Sequence, residues 1–230
     1  MRFAADDRLF VLTGAGISAE SGLATFRGSG GLWNGYRVEQ VATPEAWEAD
    51  PALVWRFYSM RRQDAAEAKP NDAHRALATL EQQLGERLFL CTQNVDDLHE
   101  RGGSRQVHHM HGELFQSRCV RCELPFSDRN IYEAKLPLCE KCGAAVRPHI
   151  VWFGEIPLDM ERIYRELEQA THVLVVGTSG SVYPAAGFVQ IAKASGAKTI
   201  YIGPEEPLNR QAFDEILLGT AVEVLPDWAG

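Results

Sequence analysis

Four cysteines fall in two pairs, Cys119-x-x-Cys122 and Cys139-x-x-Cys142, separated by sixteen residues. Two tight turns of this kind can close four thiolates into a tetrahedron around zinc and leave no open position for a reacting molecule. Such a closed site is structural. Arg118, Arg121, Lys141 and Arg147 surround it, which keeps a nucleic-acid-binding ribbon in view, although the missing interleaved aromatics disfavour it. The fifth cysteine, Cys91, sits in an apolar run and reads as a buried core thiol.

Three histidines, His108, His109 and His111, stand together in Val107 to Gly112. Imidazole titrates near neutrality, so one of them is a candidate general base, against structural roles for all three. The pattern does not choose between them. Asn94 and Asp96 lie two apart, and an amide beside a carboxylate can pair with a primary carboxamide; helix capping competes with that role. Tyr58 and Arg61 are three apart on a predicted helix and can converge on one anion. Spacing alone favours a core tyrosine beside a solvated arginine.

These residues need a frame. Short apolar runs at 9–13, 87–92, 149–153, 172–177 and 199–203 read as buried parallel strands, with 222–225 as a further candidate. Helical patterns at 52–68, 72–84, 159–170, 184–195 and 208–217 alternate with them, so the expected fold class is α/β, a doubly wound, mostly parallel, Rossmann-like sheet. Residues 1–30, 70–112 and 148–230 are expected to form the sheet domain. The insertions 31–69, a loop and helical module, and 113–147, a zinc-ribbon module, are expected to form a smaller domain.

Ligands of such sheets sit beyond the carboxyl ends of the strands. After the first strand comes the Gly-x-Gly-x-x-Ala turn Gly14-Ala15-Gly16-Ile17-Ser18-Ala19, whose backbone N–H groups and following helix could hold a pyrophosphate. Thr92 to Asp97, Gly177 to Ser181 and Gly203-Pro204-Glu205 follow three other strands, and together these ends predict a dinucleotide site. A hydride-transfer enzyme would continue to a second strand ending in an acidic residue. Here Thr25-Phe26-Arg27-Gly28 leads instead into a Gly-rich segment, predicting a loop over a nucleotide that is itself cut open.

A net charge of -8 over 230 residues gives no global attraction for nucleic acid or anionic lipid. No apolar run approaches the roughly 20 residues of a membrane helix, and Asp6, Asp7 and Arg8 occupy a position where a secretory signal would be apolar. The expected protein is cytoplasmic and monomeric.

The motifs G-A-G-I-S-A-E-S-G at 14–22, F-R-G at 26–28, T-Q-N-V-D at 92–96, H-G at 111–112, the two C-x-x-C pairs, V-W-F-G-E at 151–155 and G-T-S at 177–179 occur in one order. With them the chain resembles the sirtuin family of NAD-dependent protein lysine deacylases over nearly its whole length. The resemblance implies NAD as co-substrate, one structural zinc on Cys119, Cys122, Cys139 and Cys142, and His111 as general base. It implies contacts to NAD from Gly14, Ala15, Gly16, Ser18, Glu20, Thr25, Phe26, Arg27 and Trp33, and from Gln93, Asn94, Val95 and Asp96. Gly177, Thr178, Ser179, Gly203, Pro204, Glu205 and Ala221 complete that set. Val151, Phe153 and Gly154 would pair with an acyl-lysine peptide, and the products would be nicotinamide and O-acyl-ADP-ribose.

Tyr58-x-x-Arg61 is similar to the signature of the class III branch, which includes the bacterial deacylases and the mitochondrial desuccinylase, and Ala42 matches the small residue that widens its acyl pocket. The implied substrates are succinyl- and malonyl-lysine, with some acetyl-lysine. Gly203 departs from an asparagine frequent in the family, and Asp97 stands where many members have glycine or asparagine. A mono-ADP-ribosyltransferase using the same NAD site is the alternative enzyme.

Overall fold

The computed structural model describes residues 3–25, 32–33, 35–133, 135–178, 180 and 182–230, Leu32 in backbone only. Its strands are β1 (Leu9–Thr13), β2 (Leu32–Trp33), β3 (Tyr36–Arg37), β4 (Leu88–Thr92), β5 (Val107–His109), β6 (Gly112–Cys119), β7 (Pro125–Ser127), β8 (Val146–Ile150), β9 (His172–Val176), β10 (Lys198–Gly203) and β11 (Glu215–Leu218). Its helices are α1 (Val38–Val41), α2 (Pro44–Ala49), α3 (Pro51–Glu67), α4 (Asp72–Leu84), α5 (Leu98–Arg101), α6 (Met160–Gln169), α7 (Phe188–Ala194) and α8 (Ala221–Ala229).

Six strands form one sheet in the order β11-β10-β9-β1-β4-β5, and every neighbouring pair is parallel. Numbered within the sheet, that order is 3-2-1-4-5-6 with the reversal between β1 and β9, the doubly wound arrangement whose ligands bind at the switch point. Strand side chains alternate between two faces. Leu9 and Val11 pack with Leu77, Leu80 and Leu225 from α4 and α8, whereas Phe10 and Leu12 pack with Ile163, Leu167 and Phe188 from α6 and α7. Burial on both faces explains the continuous apolar runs.

Local signals set the helix starts. Asn71 Oδ1 accepts from the N–H groups of Ala73 and His74, and Asp50 Oδ1 accepts from Leu53 N–H at 2.9 Å, capping α4 and α3. A second sheet, β7-β6-β8, is antiparallel and carries the cysteines. Against it lies α3, through a core of Val54, Phe57, Tyr58, Leu114, Phe115, Ile150 and Trp152. Arg62 joins the same parts by polar contacts: its guanidinium meets Asp128 at 3.2 Å and donates to the carbonyls of Leu114 and Asn130, both charges being 1% exposed.

Three sequence expectations are corrected. The run 149–153 is not a strand of the parallel sheet; its first residues end β8, which pairs antiparallel with β6. A short apolar run carries no information about its partner. The run 222–225 lies in α8, started by a Thr220/Glu223 capping box after Gly219. The expected helix at 208–217 is a single 3-10 turn, Arg210–Ala212, followed by β11. The edge strand β5 carried no separate prediction. Among the described residues no helix is long and apolar enough to cross a membrane.

Candidate functional site

A cavity of about 610 Å³ opens at the switch point, within the usual range of ligand pockets. Two glycine turns build its closed end. Gly14 N–H donates to Val176 O at 3.0 Å and Gly16 N–H to Gly177 O at 2.8 Å, stitching the loop after β1 to the loop after β9. A Cβ on Gly16 would stand 2.7 Å from Gly177 Cα, and Gly177 itself has φ +63°. The glycines therefore bring two strand ends into contact, and two of the N–H groups expected to face a pyrophosphate are already engaged. The segment after the turn, Ala15–Ser21, is 3-10 rather than α-helical.

One wall is polar and buried. Asn94 Nδ2 donates to Ser18 Oγ at 3.2 Å, and Ser18 Oγ donates to Asp96 Oδ2 at 3.4 Å. Burial raises the Asp96 pKa, opposed by the N–H of Leu98 bonding its Oδ1. Asn94 N–H donates to Thr92 Oγ1 at 3.0 Å, so the turn after β4 is held by its own side chains.

The structure separates the three histidines. Only His111 lines the cavity. Its Nδ1 lies 3.1 Å from Gln93 O; a carbonyl can only accept, so Nδ1 carries the proton and Nε2 keeps its lone pair. Burial lowers its pKa, with the Gln93 bond acting the other way. His109 contacts Asn94 O and Glu100, and His108 stacks at 5.5 Å on Phe89. Gly112 has φ +80°, and a Cβ there would collide with His149 O, so only glycine lets β6 follow His111 directly.

The other wall comes from β8 and α3. Val151 N–H donates to His111 O at 2.9 Å and Phe153 N–H to Ala42 O at 3.0 Å, which ties the Val151 to Glu155 segment across the cavity mouth. Glu155 organises that segment: it takes both Arg147 Nη atoms, at 2.7 and 2.9 Å, and Trp152 N–H at 2.8 Å. Tyr58 is buried, and burial pushes its pKa up to about 12 although the nearby Arg61 charge opposes this. Partly buried Arg61 stacks at 4.1 Å on Trp33, and its buried Nη1 has no hydrogen-bond partner among the described residues.

Every described residue of the expected NAD and acyl-lysine sets lines this one cavity: Gly14, Ala15, Gly16, Ser18, Glu20, Thr25, Trp33, Gln93 to Asp96, Gly177, Thr178, Gly203 to Glu205 and Ala221, with Ala42, Tyr58, Arg61, Val151, Phe153 and Gly154. Phe26, Arg27 and Ser179 lie outside the described residues. The sequence reading missed Tyr183, Tyr201 and Thr220 among the lining residues, and passed over Leu23 and Ala24 inside the 14–27 segment expected to hold NAD. Trp152 sits inside a motif already singled out, whereas nothing local marked Tyr183 or Tyr201.

Away from the cavity, the four cysteine Sγ atoms all lie within 4.8 Å of one another. The separations 3.5, 3.5 and 3.9 Å for Cys119–Cys142, Cys122–Cys142 and Cys122–Cys139 bracket the ~3.8 Å of a tetrahedron with zinc–sulfur bonds of about 2.3 Å. The N–H groups of Arg121 and Cys122 point at Cys119 Sγ. The donor set fits a structural zinc.

A doubly wound sheet with its cavity at the switch point, a histidine free at Nε2 and a closed thiolate cluster is the architecture of a dinucleotide-binding α/β protein carrying a zinc ribbon. The Sir2 family model matches residues 14–184, and the chain belongs to the Sir2 family. It is 52% identical to an NAD-dependent protein deacylase of Caulobacter vibrioides, covering 96% of this chain and 94% of that one, and 49% identical to one of Pasteurella multocida, covering 96% of each. The crystal structure of a Sir2 homologue–NAD complex superposes with a TM-score of 0.90 at 44% identity, covering 98% of this chain and 89% of that chain.

Proposed function

We propose that the protein is an NAD-dependent protein lysine deacylase that removes succinyl and malonyl groups, together with acetyl groups, from lysine side chains. The carrying observation is that Tyr58 and Arg61, the latter with a buried Nη1 that has no hydrogen-bond partner among the described residues, line the same cavity as His111. The terminal methyl of an acetyl group offers no acceptor to that guanidinium, whereas a carboxylate at the end of the acyl chain satisfies it.

The nicotinamide end is assigned to Asn94 and Asp96, whose amide and carboxyl can pair with the carboxamide. The rest of NAD follows the glycine turns at Gly14–Gly16 and Gly177 toward Gly203, Glu205 and Ala221. Bound NAD supplies an electrophilic ribose carbon for the acyl oxygen, with nicotinamide as leaving group and O-acyl-ADP-ribose as product. His111 Nε2 takes the proton of a ribose hydroxyl, its tautomer held by Gln93 O. Val151 to Gly154 present backbone edges to an extended peptide. Residues 31–69 and 113–147 act as one small domain, with zinc holding the ribbon that carries β6 and β8.

The test is a panel of one peptide carrying succinyl, malonyl, acetyl or butyryl lysine, incubated with NAD and read by mass spectrometry. The expected products are free lysine and O-acyl-ADP-ribose, formed fastest from the acidic acyl groups. Mass added to protein without lysine release would indicate ADP-ribosyl transfer instead, and equal rates on all four peptides would remove the acyl assignment.

A further inference from the structure

His109 lies two residues before the proposed base, on the edge strand β5, and does not line the cavity. It is 9% exposed. Its Nδ1 is 3.0 Å from the backbone carbonyl of Asn94, and its Nε2 is 2.8 Å from Glu100 Oε1 on α5. A carbonyl only accepts. An ionised carboxylate only accepts as well, so a ring that satisfies both partners must donate from both nitrogens, and only the imidazolium has two N–H groups.

The surroundings favour that charge. Glu100 and Glu113, from α5 and β6, supply negative charge, and Asp96 from the turn after β4 interacts with the ring as well. Against it stand burial and the neighbours His99 on α5 and His108 on its own strand. Burial is the largest single influence and lowers the pKa of His109, but the bond and charge of Glu100, the Asn94 carbonyl and Glu113 outweigh it and hold the pKa above the ordinary histidine value. Asp97 at the start of α5 is engaged by Arg101 at 3.2 Å and Arg129 at 3.0 Å.

The partner on the other side is the residue assigned to the nicotinamide carboxamide. Asn94 is held at three points: its N–H by Thr92 Oγ1, its side chain by Ser18 Oγ and its carbonyl by His109. We propose that His109 is a positioning residue which, as an imidazolium bridging Asn94 and Glu100, fixes the Gln93–Asp96 turn for NAD and releases it when it loses its proton. A neutral ring has one N–H and cannot serve both partners, so either Asn94 O or Glu100 is left without its donor. This rests on the NAD reading given above, and adds a residue outside the cavity that controls affinity.

The experiment joins two readouts. Nitrogen NMR of the histidine side chains should show both His109 nitrogens protonated at neutral pH, with the titration midpoint moved down in Glu100→Gln. Calorimetric titration with NAD should give a Kd that is flat below that midpoint and rises roughly three- to tenfold above it, the size of one lost hydrogen bond. In Glu100→Gln the rise should begin at lower pH, and His109→Phe, whose ring donates to neither partner, should bind NAD weakly at every pH. A singly protonated His109 in the wild type, or a Kd profile that Glu100→Gln leaves in place, would overturn the proposal. Absence of NAD binding at any pH, with the NMR result intact, would strike the functional reading instead.

Discussion

Trp152 Nε1–H donates to the Tyr58 hydroxyl at 3.0 Å. The hydroxyl oxygen is thereby used as an acceptor, and with the pKa pushed up to about 12 the phenol keeps its own proton. That proton has no protein acceptor among the described residues, so it is available to a ligand in the cavity, beside Arg61. A carboxylate would accept from both. Tyr58→Phe should therefore raise KM for a succinyl-lysine peptide about tenfold and Arg61→Met by roughly 10- to 100-fold, with small changes for acetyl-lysine peptide. Steady-state kinetics on the matched peptides decides this; parallel losses on both would sink it.

As the proposed base, His111 would work only when neutral, and burial keeps its pKa below the ordinary histidine value. As pH falls, activity should persist past pH ~6.5, the unperturbed midpoint, and then decline as Nε2 is protonated. A kcat/KM profile whose acid limb is centred above that point would contradict the environment described. His111→Ala should lower turnover by about 10^2 to 10^4.

Zinc removal should act on the ribbon and not on the chemistry, because the thiolate cluster lies outside the residues lining the cavity. Zinc-finger peptides gain roughly 10 to 16 kcal/mol from the metal. Chelation should lower the melting temperature and abolish activity together, and refilling with cadmium should restore both. Recovered folding without recovered turnover would show that the metal takes part in the reaction.

The Arg62–Asp128 pair is the second tie between α3 and the ribbon. Asp128→Asn strands a buried guanidinium and should destabilise the fold by roughly 3–5 kcal/mol, whereas replacing both residues with apolar ones of similar volume should recover most of that. Urea denaturation of the two variants distinguishes a buried pair from a solvated one.

Arg61 and Arg62 are adjacent in the chain and have different surroundings. Arg61 lines the cavity, while Arg62, turned 100° on the helix, is locked against Leu114, Asn130 and Asp128. A helical Tyr-x-x-Arg spacing was legible beforehand; which arginine would find an acidic partner 66 residues away was not. The same division runs through the histidines. Three in one short segment announced a base without choosing among them; the family resemblance pointed to His111, and in the structure His111 lines the cavity while His109 does not.

What the sequence determined by itself was whatever depends on near neighbours. The thiolate quartet needs only two tight turns, the alternating apolar runs follow from burial on both faces of a sheet, and the glycine turns need a backbone free of Cβ atoms. Tertiary structure decided everything that requires a partner. It sent 146–150 to an antiparallel ribbon and 215–218 to the edge of the parallel sheet, since a short apolar run can hydrogen-bond to any strand that buries it. It also set Trp152 against Tyr58, 94 residues apart, because a hydrogen-bond partner is chosen by the packing of whole elements, which no local spacing records.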